Sequence, residues 1–136
     1  MKPSHVDRAT ALLLDLQRDV PGIRGVLLAS VDGRPLSDTF ASGNSFTSAS
    51  AMIAAALGLG RRLAELVGDG RLQEATIRST SGYVIVYAVA EVAVMTVLTN
   101  PGANVARVHL IARDVVKDIM AVLIDQEAQS NASPTE

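Results

Sequence analysis

The chain has 136 residues, a mass of 14.2 kDa and a formal net charge of −2, which suits one domain and argues against a nucleic-acid binder. Almost half is apolar, but only two Phe, two Tyr and no Trp accompany 20 Ala, 16 Val, 15 Leu and 7 Ile; small and branched side chains must build the core, and little is left for base stacking or aromatic cages. No cysteine means no disulfide, thiolate metal site or thiol nucleophile, and two histidines, His5 and His109, are too few for most imidazole metal sites.

In chain order, Ser4 with Asp7 three residues later is a capping-box pattern with a weak partner. Val6, Ala9, Leu13, Leu16 and Val20 then recur at helical spacing until Pro21-Gly22 stops the first helix. Its interleaved Asp7, Arg8, Asp15, Arg18 and Asp19 make it amphipathic and unlike a signal peptide, so a soluble cytoplasmic protein is expected. Ile23 to Val31 reads as a strand apolar on both faces, with Val26 and Leu28 on one and Leu27 and Ala29 on the other. Asp32-Gly33 is a two-residue hairpin turn. The return strand, Arg34 to Phe40, contains Pro35 and belongs at a sheet edge, because proline cannot donate to a ladder.

Residues 41–50 form a Ser/Gly/Asn/Thr-rich loop, with Ser45 or Thr47 as N-cap of a second helix reaching Val67. Gly68-Asp69-Gly70 ends it. Gln73 to Thr80 alternates Ala75, Ile77 and Ser79 against Thr76, Arg78 and Thr80, a polar strand suited to an edge. Tyr83 to Leu98 is a 16-residue run whose one charge is Glu91; it is short of the ~20 residues of a membrane helix and reads as two buried strands joined at Ala90-Glu91. Asn100 to Asn104 breaks the sheet. Asn104 caps a third helix running to about Gln126, and residues 128–136 read as a disordered polar tail after a single domain over 1–127.

The element order is therefore α-β-β-α-β-β-β-α, an α+β fold. Hairpins join strands one and two, three and four, and four and five. Strands two and three carry the edge signatures, which leaves the antiparallel order 2-1-5-4-3. Strands one, four and five are apolar on both faces, so the helices must divide between the two sides.

The second helix carries two stripes. Ile53, Ala56, Leu57, Gly60, Ala64 and Val67 are expected on the sheet, with Gly58 and Gly60 explained by close packing. Met52, Ala55, Leu59, Leu63 and Leu66, interrupted by Arg62, form a second stripe where a lone monomer should be polar. The neighbouring edge strand has no proline and few charges, so it can pair with a second copy across a twofold axis. The expected homodimer surface is thus Met52, Ala55, Leu59, Arg62, Leu63, Leu66, Thr76, Ile77 and Arg78.

No phosphate-binding loop, nucleophile elbow, metalloprotease motif or dinucleotide fingerprint is present. His109 falls on a polar helix face near Arg113 and reads as solvated, His5 as part of a mobile N-terminus, and Asp114, Lys117 and Asp118 as a charged solvent face. Arg61 and Arg62 are the residues to test for contact with a partner's active site. No catalytic residue, metal or cofactor is expected.

The stretch VPGIRGVLLASVDGRPL (Val20 to Leu36) and the closing run LTNPGANVARVHLIARDVVKDI (Leu98 to Ile119), with the element order, resemble the roadblock/dynein-light-chain family over about Ala9 to Leu123. The resemblance implies a profilin/longin-like sandwich that dimerises through third strands and second helices. It also implies a scaffold or regulator of Ras-like small GTPases, with bacterial relatives acting on a gliding-motility and polarity GTPase. These signatures contain no catalytic residue. A small-molecule sensor domain is the alternative, marked by a polar-lined pocket under a helix.

Overall fold

A computed structural model describes residues 4–40, 47–68 and 70–132. Its elements are α1 (His5–Asp19), β1 (Ile23–Ser30), β2 (Pro35–Asp38), α2 (Thr47–Val67), β3 (Glu74–Ser79), β4 (Gly82–Val89), β5 (Ala93–Thr99) and α3 (Val105–Ala132). The five strands form one sheet in the order β2-β1-β5-β4-β3, and every neighbouring pair is antiparallel. Element order and sheet order are those derived above. The proposed Ser45 cap lies outside the described residues, as does the tail at 133–136. Residues 128–132, expected in that tail, continue α3 instead.

Strand parity divides the core in two. Val26 and Leu28 of β1, Ile85, Tyr87 and Val89 of β4, and Ala93, Met95 and Val97 of β5 point to one face. There α1 contributes Ala9, Leu13 and Leu16, and α3 contributes Val108, Ala112, Val115 and Ile119. The Ser4 hydroxyl caps α1 by accepting from the Asp7 N–H at 3.0 Å. α1 and α3 run antiparallel. His5 Nε2 and Arg8 Nη1 each lie 3.1 Å from Asp125 Oδ2, while Gly22, at φ +92°, comes so close to Ala103 at the other end that a Cβ would sit 2.8 Å from it. His5 is therefore tethered to α3 and not part of a mobile terminus. Val6, expected in the buried series, is exposed, because the first turn of α1 overhangs the core.

On the opposite face Ala29, Val86 and Val94 meet Leu57 of α2, with Ile53, Leu72, Val84 and Ala88 around them. This second core is much the smaller. The sheet-facing stripe of α2 is Ser50, Ile53, Leu57, Gly60 and Ala64; a Cβ on Gly60 would meet Leu72 Cδ2 at 2.7 Å. Three expectations fail here. Ala56 is exposed, since it lies one residue, or 100°, from Leu57; Val67 is 78% exposed, in a last turn where residues 65–68 are all exposed; and Gly58 faces open space.

Two substitutions test the packing. Gly82 opens β4 at φ +141°, where a Cβ would stand 1.9 Å from the Thr99 carbonyl oxygen. Gly82→Ala is expected to cost about 3 kcal/mol or more in urea denaturation, because strain and a backbone clash coincide. The buried Ser50 hydroxyl has no hydrogen-bond partner among the described residues. Ser50→Ala is expected to be neutral or to stabilise by up to about 1 kcal/mol in the same measurement, since it removes an unsatisfied polar group.

Candidate functional site

Strands in a sheet lie ~4.8 Å apart and packed helices ~10 Å apart, so five strands call for two helices on each apolar face. α1 and α3 supply two on one face. On the other, α2 stands alone over β1, β5 and β4, and β3 is left without helical cover among the described residues. Parity puts Ala75, Ile77 and Ser79 of β3 on that open face, because Ala75 pairs with Val86 and Ile77 with Val84. Ile77 is 49% exposed there.

The outer side of α2 continues the same surface. Met52 is 72%, Leu59 70%, Leu63 58% and Leu66 81% exposed, and Ala55 and Arg62 beside them are exposed too. With Ala56, the apolar residues fall at 52, 56, 59, 63 and 66, a four-three-four-three spacing over two heptads. The sequence reading placed Ala56 on the sheet and so missed its place in this seam; the spacing itself was the available signal. Fully burying the four large side chains would release roughly 6–12 kcal/mol per chain. β3 adds a free edge, since it pairs with β4 on one side and, among the described residues, carries no strand on the other. Thr76, Ile77 and Arg78 are all exposed on it.

The expected partner-contact arginines separate. Arg61 is partly buried and reaches the Ala90 carbonyl with Nη2 at 3.5 Å, whereas Arg62 is exposed along the seam. Arg61 also lines a groove of about 790 Å³ with Arg71, Leu72, Tyr87, Lys117 and Met120, among others, at the end of the sheet where β3 begins. Among the described residues no three His, Asp or Glu side chains are grouped to hold a metal, and no helix is long and apolar enough to cross a membrane.

One polar cluster was not foreseen. Arg113 of α3 donates to Glu74 of β3 twice, from Nε at 3.0 Å and Nη2 at 2.5 Å. His109 Nδ1 lies 3.5 Å from Glu74 Oε1 and 2.8 Å from the Tyr87 hydroxyl. His109 is thus engaged, where its helical position had suggested a solvated side chain; Asp114, Lys117 and Asp118 are exposed as expected. Burial, with the Glu74 charge adding to it, pushes the Tyr87 hydroxyl well above its ordinary value. The phenol therefore keeps its proton, and its hydroxyl shares one hydrogen bond with His109 Nδ1. The sequence signal for the cluster was only the spacing of His109 and Arg113, four residues apart on one helix face.

The hydrogen bonds from Arg113 hold the Glu74 carboxyl below the usual carboxylate range, against a smaller opposing effect of burial. A depressed folded value means that the contribution is complete above the unfolded value of 4.5 and is lost as pH falls through the folded one. Because Arg113 is half-exposed, Glu74→Gln is expected to cost about 1 kcal/mol at neutral pH, and the gap from wild type to close in acid below the unfolded value. Urea midpoints measured across pH check both statements.

Comparison with known proteins bears on the fold. The family model for the Roadblock/LC7 domain matches residues 9–99. A Roadblock/LC7 domain from Streptomyces avermitilis superposes with a TM-score of 0.79 at 22% identity, over 85% of this chain and 97% of that one. The gliding protein MglB from Thermus thermophilus gives 0.78 at 19% identity, over 90% and 93%. Profilin from Schizosaccharomyces pombe gives 0.58 at 13% identity, over 83% and 97%, so the profilin-like layering extends beyond the family. At these identities the likeness is one of fold. Comparison with curated proteins gives no significant match.

Proposed function

Because the chain belongs to the Roadblock/LC7 domain family, we propose that it is a homodimeric, non-enzymatic regulator or scaffold of a Ras-like small GTPase in the cytoplasm. The observation that carries this reading is the coincidence of two unfinished features on one face, the apolar heptad seam of α2 and the open edge of β3. A second copy completes both at once. Pairing β3 with its symmetry mate extends the sheet across the axis, and the second α2 supplies the helix that this face lacks. The gross gain from burying the seam in two chains is of the same order as the ~4–15 kcal/mol cost of association. The contact residues are Met52, Ala55, Leu59, Arg62, Leu63 and Leu66 on α2, now with Ala56, and Thr76, Ile77 and Arg78 on β3.

Such a regulator needs no chemistry of its own. It acts by binding one nucleotide state of the GTPase better than the other, because only differential affinity shifts an equilibrium. Where hydrolysis is stimulated, the proposed route is ordering of the GTPase's own catalytic groups. Arginine supplied in trans is the competing route, and it is worth roughly 10³–10⁵ in rate. The groove beside Arg61 is the one feature that favours the alternative of a small-molecule sensor, for which a metabolite retained in native mass spectrometry is the sign. It opens at the end of the sheet, whereas the contacts beneath α2 are aliphatic.

Leu59→Glu combined with Leu63→Glu is expected to turn a dimer into a folded monomer, read by light scattering and circular dichroism, since both side chains are exposed in the single chain. Arg61→Ala and Arg62→Ala are expected to leave any stimulation of GTP turnover within about threefold, far from the loss that an arginine finger would show. A wild-type monomer at micromolar concentration that binds no small GTPase would sink the proposal.

A further inference from the structure

The two ends of β3 are held very differently. Its leaving end runs into a tight turn at Thr80-Ser81, where the Ser79 hydroxyl accepts from the Ser81 N–H at 3.2 Å and donates to the Gly82 carbonyl at 3.0 Å. Turn length fixes the pairing register there. The entering end follows a stretch without regular structure, and its backbone anchor is the Ala88 N–H donating to the Gln73 carbonyl at 2.8 Å. Burial contributes only at Glu74 and Ala75, which are half-buried, because residues 76–79 are all exposed. An edge strand that buries so little is held mainly by its ladder and frays from the end far from the turn.

Glu74 stands at this entering end. It pairs across the ladder with Tyr87, so both side chains leave the sheet on the face covered by α3. There His109 and Arg113, four residues apart on one helix, meet them. Two neighbours on the sheet and two neighbours on the helix close one network. Among the described residues, every hydrogen bond and ion pair from a β3 side chain to a helix starts at Glu74. A slip of one residue would turn Glu74 to the opposite face, away from Arg113.

We propose that Glu74, held by Arg113 and by the Tyr87–His109 pair, is a latch that fixes the entering end of β3 on the sheet and keeps that edge in register for a second chain. Its bearing on assembly rests on the reading of β3 as a pairing edge; the latch itself does not. Glu74 is a positioning residue, since it acts by placing the strand.

Hydrogen exchange on the full chain in dilute solution separates the two. In Glu74→Gln, amides of 74–79 are expected to exchange roughly tenfold faster, while those of β1 and β5 rise by no more than the factor set by the lower global stability. Self-association is expected to weaken by about the same factor. The charge-reversed pair Glu74→Arg with Arg113→Glu is expected to recover most of both. Unchanged exchange in β3, or a rise shared equally by β1 and β5, overturns the latch. Local fraying of β3 in a chain that is monomeric even as wild type supports the latch and overturns the pairing edge.

Discussion

Among the described residues, a five-stranded sheet with two apolar faces has three helices to cover it, one fewer than two per face would require. Most of the structure follows from how that shortage is distributed. α1 and α3 lie antiparallel and close one face, so that face holds the larger core and nearly all the fully buried side chains. The shortage falls on the other face, where α2 must do alone what two helices do opposite. It sits over the inner strands, and the uncovered ground is β3 and the outer flank of α2 itself. The amino-acid composition fits this arrangement: Leu57 and Ile53 of α2 meet valine and alanine of the strands, and Gly60 admits Leu72 against the helix, with no aromatic slab between.

The exposed side of α2 is not the polar surface that such a helix normally shows to water. Leucine and methionine recur there at coiled-coil spacing, and the heptad runs nearly the length of the helix. On α3 the outer flank is mixed: Arg107, Asp114, Lys117 and Asp118 are exposed beside Leu110 and Ile124, which form no continuous apolar seam. The contrast between the two helices places the unmet burial on the α2 face.

Polar chemistry is concentrated instead at the end of β3. In a core that is otherwise aliphatic, Tyr87 is the one fully buried aromatic among the described residues, and its hydroxyl opens a chain of contacts through His109 and Glu74 to Arg113. The aromatic body fills the core while the polar tip reaches a partner, as buried tyrosines require. This arrangement ties the helical layer on one face to the strand that borders the other. The Asp125 contacts with His5 and Arg8 do similar work at the far end of α3, fastening the start of α1.

Local rules read from the sequence were sufficient for the element order, the sheet order, the two edges and the doubly apolar α2. Each rests on a short-range constraint: Asp32-Gly33 turning a hairpin, Pro35 refusing a central ladder position, alternation in Ala75 to Ser79, and helical spacing in the leucines of α2. The same reasoning misplaced His5 and His109, because their partners lie 120 and 22 residues away and no local pattern carries that pairing. It misassigned Ala56 and Val67, since periodicity gives the spacing of a stripe but not the rotation of the helix or where it runs past the sheet. Which residues form elements, and which elements are edges, was therefore determined by the sequence alone. Which face would be short of a helix, how α2 is turned on it, and that Glu74 meets Arg113 were decided only when the elements packed, because those depend on distances between segments that the chain order leaves open.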